Sequence, residues 1–404
     1  MDATSTLVEL VERALAVNPG LRAARERWIA ACEELPQATS LPDPTLAARW
    51  FVEEVQTRVG PQEWSLGVRQ QLPWFGTLDA RGDVADGRAA AAGARHGAEF
   101  ARVIADVKKA WADLFLLERS IETVRGNRDL LADMEDVARS RYGSGRGTYA
   151  DVVRVQVELD KLSDRLRSLE GRRTSAGAHL NALLHRPPTA ALPAPTSIDA
   201  ERPLPPAEAL RAELHASSPR LHALRLEADA AGSAVELTQL AQRPSWTVGL
   251  EYIATGEAPV SGVSGSGDDP LIASVQVDLP LRRARDRAEE RQARALHRAA
   301  QGELERAENA EAAALEHQLY LARDGAERIA LYRSTLVPRA RQSYEVIATA
   351  FRAGEAGFLD LVEAERELLT LELSLESART ERARAVAELE RLIGGPLPGS
   401  EVSR

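Results

Sequence analysis

The residues with the most chemical potential are three acids that follow two glycine-rich segments. Asp151 follows the first turn (Tyr142 to Thr148), and Asp360 and Glu363 follow the second turn (Phe351 to Gly357). An acid just behind a turn is favoured by the positive end of a helix dipole, so this placement alone predicts helix N-termini. Most other acids flank apolar helical positions, where charged residues solvate a coiled coil.

Metal, cofactor and nucleophile signatures are missing from the sequence. No HExxH or Cys/His spacing, nucleophile elbow, phosphate-binding loop or GxGxxG segment after a strand occurs. The sequence therefore predicts no enzyme, no cofactor and no metal site. The seven histidines are scattered: His96, His179, His185, His215, His222, His297 and His317.

The composition is typical of long helices. Aromatic residues make up only 4% of the chain and charged residues 28%, with many Ala, Leu, Arg and Glu, which favours narrow coiled-coil seams over a wide core. The net charge of −10, without a Lys/Arg block, excludes a broad nucleic-acid surface. The single Cys32 excludes an intramolecular disulfide, and we expect it to be a small buried hydrophobe.

Matched sequence features recur about 200 residues apart and predict an internal two-fold repeat. Asn18-Pro19 and Ser218-Pro219 each place an N-cap residue before a proline at the first helical position. Other pairs keep the same order with a small drift. They are Asp43-Pro44 with Arg243-Pro244, Leu72-Pro73 with Leu279-Pro280, and 142–151 with 351–360.

Four segments with period-2 alternation predict two β-hairpins, one in each repeat. Each segment has the 9 to 11 residues, roughly, that a tilted strand needs to cross a bilayer, with one apolar face. The other interpretation is an edge hairpin of a soluble sandwich, but the chain offers no further strands. Four strands cannot close a barrel, so their edges require partner chains. The predicted strands are about 45–56, 63–73, 245–255 and 271–280.

Long helical patterns follow each hairpin, at about 77–141 with 148–185 and about 284–352 with 357–393. Their apolar positions repeat every 3.5 residues, which predicts left-handed coiled-coil hairpins. A helix of roughly 65 residues extends about 100 Å. The predicted division is a first repeat at 1–189, a Pro-rich linker at 190–205, a second repeat at 206–395 and a tail at 396–404. Pro338 should kink the third of these helices.

The ordered set of motifs resembles TolC-type outer-membrane efflux proteins over residues 5–395. The exit from the second strand is similar to that of the heavy-metal branch, the CzcC- and CusC-like proteins. The segments that carry the resemblance are Leu41-Pro42-Asp43-Pro44, Gln71-Leu72-Pro73-Trp74-Phe75-Gly76, Tyr142-x-x-Gly145-x-Gly147-Thr148, and Phe351-x-x-Gly354 followed by Asp360.

This resemblance implies a mainly α fold with a small β part that assembles as a homotrimer. Three protomers would build a 12-stranded β-barrel in outer-membrane lipid, continued by a periplasmic α-helical barrel. The function implied is that of a passive exit duct for small molecules or metal ions. Its implied partners are a periplasmic adaptor and an inner-membrane pump, which would supply the energy.

The resemblance also assigns roles to the two turns. Tyr142, Gly143, Gly145, Gly147 and Thr148 would contact the adaptor at one periplasmic tip. The corresponding residues of the second tip are Phe351, Gly354 and Gly357.

The same resemblance places a pore constriction beside these tips. Asp360, Glu363 and Asp151 would supply rings of negative charge, a recurrent device for cation selectivity. Family members can carry a gate arginine where this chain has Ala356, and Arg146 is the nearest basic candidate. Without the resemblance, the glycines are simply what sharp helix reversals need.

Features that the sequence lacks bear on the localisation of the protein and on two alternative functions. Residues 1–30 show no signal peptide, so an outer-membrane location requires that the signal was removed or precedes Met1. The alternative function is a soluble coiled-coil scaffold, which would not need two amphipathic hairpins. A periplasmic adaptor would carry one helical hairpin flanked by short-stranded segments, which this sequence does not have.

Overall fold

A computed structural model describes residues 3–398 and shows a mainly helical chain with one small antiparallel sheet, which confirms the coarse fold prediction. Within these residues, none of the helices is both long and apolar enough to cross a lipid bilayer. The first half contains α1 (Ala3–Val17), α2 (Pro19–Cys32), α3 (Glu34–Thr39), β1 (Thr45–Thr57), β2 (Gly60–Leu72), α4 (Thr77–Gly143) and α5 (Tyr149–Leu183). The second contains α6 (Ala207–Ser217), α7 (Pro219–Leu240), β3 (Ser245–Thr255), β4 (Leu271–Asp278), α8 (Arg283–Leu331), a π-helical turn (Tyr332–Leu336), α9 (Val337–Ala353) and α10 (Phe358–Ile393).

Contacts divide the chain into two compact units, each assembled from both halves. The first unit comprises Met1–Arg25, Arg95–Leu221 and Ala307–Arg404. The second comprises Glu26–Ala94 and His222–Arg306. The predicted repeats and linker divide the sequence, whereas each of these units combines segments from both halves. The two-fold repeat therefore stays a prediction.

The second unit contains the sheet, in the order β1-β2-β3-β4 with every neighbouring pair antiparallel. The two predicted hairpins are joined because β2 pairs with β3, for example Val68 opposite Leu250. The turn after β1 is two residues long, shorter than the predicted loop at 57–63, and β2 begins at Gly60. Strand β4 ends at Asp278, before Pro280, which has no N–H for a ladder.

Helices of the second unit approach one another through small residues. A Cβ at Gly87 of α4 would lie 2.9 Å from the Cβ of Ala230 in α7, too close for any larger side chain without a shift. Small side chains let these two backbones pack at short range. Cys32 is exposed at the last residue of α2, so the prediction of a buried cysteine is wrong.

The first unit contains the coiled-coil seams. Asn18 accepts from the N–H groups of Gly20 and Leu21, and Ser218 accepts from Leu221, which confirms the two predicted N-caps. Leu397 is buried in this unit, so the start of the predicted tail 396–404 is packed, whereas 399–404 lie outside the described residues. The largest cluster includes Ile121, Val124, Leu131, Val155, Leu162, Phe351, Phe358, Leu361 and Leu368, from α4, α5, α9 and α10.

Candidate functional site: the two turns of the first unit

The first turn reverses the chain between α4 and α5 with one left-handed residue, Gly145, at φ +72°. The Arg146 N–H donates to the carbonyl of Arg141 at 2.8 Å, which satisfies one of the carbonyls that the end of α4 leaves without a helical partner. Gly143 is the last residue of α4, and a Cβ at Gly147 would lie 3.1 Å from that of Arg141. Left-handed geometry therefore explains only Gly145, and close packing explains Gly147.

Helix α5 begins with a capping box. The Asp151 N–H donates to Thr148 Oγ1 at 3.2 Å, and the Thr148 N–H donates to Asp151 Oδ2 at 3.3 Å. The two side chains thus satisfy two of the backbone N–H groups that have no helical partner at the start of α5. Asp151 is thus engaged within its own turn.

The second turn has the same backbone plan with a different cap. Gly354 is left-handed at φ +88°, and its N–H donates to the Phe351 carbonyl at 3.1 Å. Gly357 occupies the N-cap of α10, where its N–H donates to Asp360 Oδ2 at 3.1 Å. Only this half of the box can form, because glycine has no side chain to accept the return bond.

Each turn carries an aromatic pair across the reversal, but the two pairs differ in burial. The rings of Tyr142 and Tyr149 lie 5.6 Å apart and are 51% and 63% exposed. The rings of Phe351 and Phe358 lie 6.2 Å apart and are 2% and 5% exposed. The second turn is therefore part of the packed core, and the first is on the surface.

Arg141 joins the two turns. The sequence alone predicted no residue in this role. Its Nη1 donates to the carbonyl of Phe351 at 2.8 Å, and its guanidinium lies 4.7 Å from the centre of the Phe351 ring. The favourable attraction of a cation to an aromatic face adds to this hydrogen bond. No ion pair joins Arg146 to Asp360 or Glu363 in the described part of the chain, and all three side chains are exposed.

Glu365 is the acid that the sequence interpretation missed. It is 2% exposed, and its Oε1 has no hydrogen-bond partner among the described residues. Burial, followed by the negative charge of Glu158, raises the pKa of Glu365 to about 7. The signal in the sequence is its spacing of four and three residues from Leu361 and Leu368, which puts it on the buried face of α10.

Within residues 3–398, no group of three or more His, Cys, Asp or Glu side chains is arranged so that it could hold a metal ion. Near the turns, the carboxylates of Asp151 and Asp360 accept hydrogen bonds from backbone N–H groups, and Glu363 is exposed to solvent. Chemically, the arrangement presents negative charge at the starts of α5 and α10.

Comparison with known proteins decides the family. The family model described as outer membrane efflux protein matches residues 10–185 and 210–395. The chain belongs to the outer membrane efflux protein family. The family resemblance predicted from residues 41–44 and 71–76 is thereby confirmed. This family consists of passive channels rather than of enzymes.

Relatives of this outer membrane efflux protein match almost its whole length. The cobalt-zinc-cadmium resistance protein CzcC of Cupriavidus metallidurans is 22% identical over 96% of this chain and 90% of its own. The outer membrane protein VceC of Vibrio cholerae has a TM-score of 0.81 at 21% identity, covering 97% of both chains. CusC has a TM-score of 0.82 at 14% identity, covering 97% of this chain and 92% of its own. At these identities, the solved structures establish the fold.

Proposed function

We propose that this chain is the outer-membrane channel subunit of a tripartite efflux system. Three copies would each contribute four strands to one twelve-stranded barrel, continued by helices as a periplasmic duct. Two family-model matches, at 10–185 and 210–395, support the proposed repeats at 1–189 and 206–395 with their linker at 190–205. The observation that carries the proposal is that the four-stranded sheet has one exposed apolar face and one largely polar face.

One face of the sheet is apolar, and its large side chains are exposed. The register places Leu66 between Ala48 and Tyr252, and Val68 between Leu46 and Leu250. An exposed apolar patch of this extent is unfavourable in water and fits lipid. The large exposed members are Leu46, Trp50, Leu66, Val68, Trp246, Val248, Leu250, Tyr252, Leu271, Val275 and Val277.

The opposite face is largely polar and suits a water-filled lumen. Arg49 pairs with Glu251 at 3.1 Å, and the Ser65 hydroxyl donates to Glu251 at 2.8 Å. Strands β1 and β4 are the edges of the sheet and leave one side of each unpaired. Unpaired edges cannot remain in a bilayer, so neighbouring copies must pair with them.

A matched pair of substitutions tests the lipid face. Leu250→Arg would place a charge in the apolar band, at a cost of about 2–4 kcal/mol near the bilayer midplane. Gln276→Arg places the same side chain on the polar face. We expect a trimer band on unheated SDS gels of the outer-membrane fraction for wild type and Gln276→Arg, and its loss for Leu250→Arg.

A soluble cytosolic species without a membrane fraction, even with a signal peptide supplied, would contradict the proposal. The alternative function, a soluble coiled-coil scaffold, would then stand. Equal assembly of both arginine variants would also contradict the assignment of the sheet faces.

We further propose that the two turns form the periplasmic tip, with the adaptor contact and the pore constriction. The exposed acids Asp360 and Glu363 support a cation-selective constriction. Alanine at both positions should raise single-channel conductance in planar bilayers and lower cation preference. Asp164→Ala, an exposed acid of α5, serves as the control. Unchanged conductance would remove Asp360 and Glu363 from the constriction.

The proposed cargo is a divalent metal ion, supported by the name of the CzcC relative. The ion would be a substrate in transit, delivered by an inner-membrane pump through an adaptor. Deleting the gene should lower tolerance to zinc, cobalt or cadmium, and the wild-type gene should restore it. Unchanged metal tolerance with increased sensitivity to organic toxicants would assign another cargo to the same duct.

A further inference from the structure

The ends of β2 and β4 meet at one end of the sheet, beside the start of β3. Leu72, at the end of β2, lies opposite Trp246 in β3. Asp278, at the end of β4, lies opposite Ser245, where β3 begins. From here the chain continues into α4 and α8. We call this part of the second unit the helical end of the sheet.

Large apolar side chains remain exposed just beyond the helical end. Phe75 is 84% exposed, Leu279 is 64% exposed and Leu281 is 80% exposed. The rings of Trp74 and Phe75 lie 5.9 Å apart in an edge-to-face arrangement. Leu279 continues the apolar alternation of β4, so the apolar face extends past the last paired residue. Exposed aromatic and apolar side chains at the end of such a face are typical of the boundary between lipid and water.

A cluster of exposed arginines follows these apolar residues in the chain. Between 282 and 287, four arginines, all exposed, accompany a single acid, Asp286. One of the four, Arg285, pairs with Glu289 at 2.9 Å. Positions 283 and 287 are four residues apart on α8, which places both side chains on the same side of the helix. The members without an ion pair in the described part of the chain, which we call the arginine cluster, are Arg282, Arg283 and Arg287.

Local folding does not account for the arginine cluster. Cations are disfavoured at the start of a helix, because the positive end of the macrodipole lies there. Asp278, the acid at the end of β4, is engaged within the sheet. Its carboxylate accepts from the Ser245 hydroxyl at 3.0 Å and from the Gln276 amide at 3.1 Å. The three guanidinium groups are therefore free to bind an anion from outside the chain.

Arg243 adds positive charge from a second segment. It is exposed and lies two residues before β3. The Gln242 amide donates to the carbonyl of Asp286 at 3.4 Å, which brings this segment against the first turn of α8. Two segments thus present cations beside the exposed apolar side chains of the helical end. An amphiphilic anion matches both features.

We propose that the arginine cluster binds the phosphate of an anionic phospholipid, whose acyl chains pack against Phe75 and Leu281. The lipid belongs to the leaflet at the helical end of the sheet. Guanidinium groups form charged hydrogen bonds with phosphate oxygens, and basic residues beside a membrane-embedded segment attract anionic lipid. The inference rests on the membrane placement of the sheet in the proposed function, and it adds a ligand and the residues that bind it.

Calorimetric titration of the full-length protein in detergent tests the ligand. Short-chain phosphatidylglycerol should show saturable binding, and phosphatidylcholine of the same chain length, which has no net charge, should bind much more weakly. Salt at about 0.5 M should weaken the binding of phosphatidylglycerol, because it screens exposed charges. Inorganic phosphate should not displace the lipid, since it has no acyl chains. Equal binding of the two lipids, or displacement by phosphate, would overturn the proposal.

Two triple variants locate the site. Replacing the whole arginine cluster by glutamine should weaken phosphatidylglycerol binding on the order of a hundredfold, at about fivefold for each arginine. The matched control carries Arg13→Gln, Arg172→Gln and Arg339→Gln, three exposed positions of the first unit, and should bind as wild type does. Equal affinity of the two variants would overturn the assignment of the cluster.

Unheated SDS gels of the outer-membrane fraction separate this inference from the proposed function. The cluster variant should keep the trimer band, because the arginines contact lipid. Loss of the band in this variant alone would assign the arginines to a contact between copies and overturn the lipid site. Absence of the band in wild type would contradict the proposed function, and this inference with it. A wild-type trimer that binds both lipids equally would contradict only the lipid site.

Discussion

The first and second turns share a backbone design and differ in what holds them. Each has one left-handed glycine, an acid at the third helical position and an aromatic pair. The first turn has exposed tyrosines and a complete capping box, whereas the second has buried phenylalanines and a half box. Local hydrogen bonds stabilise one reversal, and core packing stabilises the other.

This difference extends into the helices behind the turns. At the 209-residue offset, Gln156 of α5 corresponds to Glu365 of α10. Gln156 is half-buried and donates to Glu135 at 2.9 Å, whereas Glu365 is buried with an unpartnered oxygen. The buried carboxyl without a partner therefore lies behind the more tightly packed of the two reversals.

The largest expected effect comes from deleting a buried ring. Phe351→Ala should lower the free energy of local unfolding by about 3–5 kcal/mol, because it leaves a cavity in a packed cluster. Tyr142→Ala, at the matching exposed position, should cost less than about 1 kcal/mol. Hydrogen exchange of the two turns measures both. Equal losses would show that burial does not separate the turns.

Protonation of Glu365 should give the second-largest effect. Because its folded pKa, about 7, exceeds its unfolded value, the folded state binds the proton more tightly. Stability should fall as pH rises from about 4.5 through 7, by up to about 3 kcal/mol, and then level off. Glu365→Gln should abolish the slope, and Glu363→Gln, an exposed acid on the same helix, should keep it. Denaturation curves between pH 5 and 8 measure this slope.

Arg141→Met should destabilise the link between the turns by about 1–2 kcal/mol, through loss of one hydrogen bond and one cation–π contact. Arg139→Met is the matched control, because that exposed arginine pairs only with Glu135 on its own helix among the contacts described here. Faster hydrogen exchange at 351–356 in Arg141→Met alone would confirm the link. Equal rates in both variants would contradict it.

The smallest expected effects concern the caps. Thr148→Ala should cost about 1 kcal/mol by removing half of the box. Gly357→Ser should gain about 0.5 kcal/mol, since its φ of −79° suits any residue and its hydroxyl can accept the Asp360 N–H. Hydrogen exchange at the first turn of α5 and of α10 measures the two changes. A loss of stability in Gly357→Ser would show that the packed turn does not tolerate the extra side chain.

Local features were predictable because neighbouring residues decide them. The alternation around Val248 and Leu250 predicted a strand, and Asn18-Pro19 predicted a helix start. The candidate site was predictable in part. The glycines and acids marked both turns, but proximity in sequence favoured Arg146, whereas the helix end directs Arg141 onto Phe351.

The amino-acid sequence by itself determined the long helices, the four amphipathic strands and the two reversals, because periodicity, proline and glycine act over a few residues. Only the tertiary structure decided that β2 pairs with β3, although about 180 residues separate them, since such pairings depend on loop closure and packing. It likewise decided the burial of Glu365 and Phe351, because burial depends on neighbours that are distant in the chain.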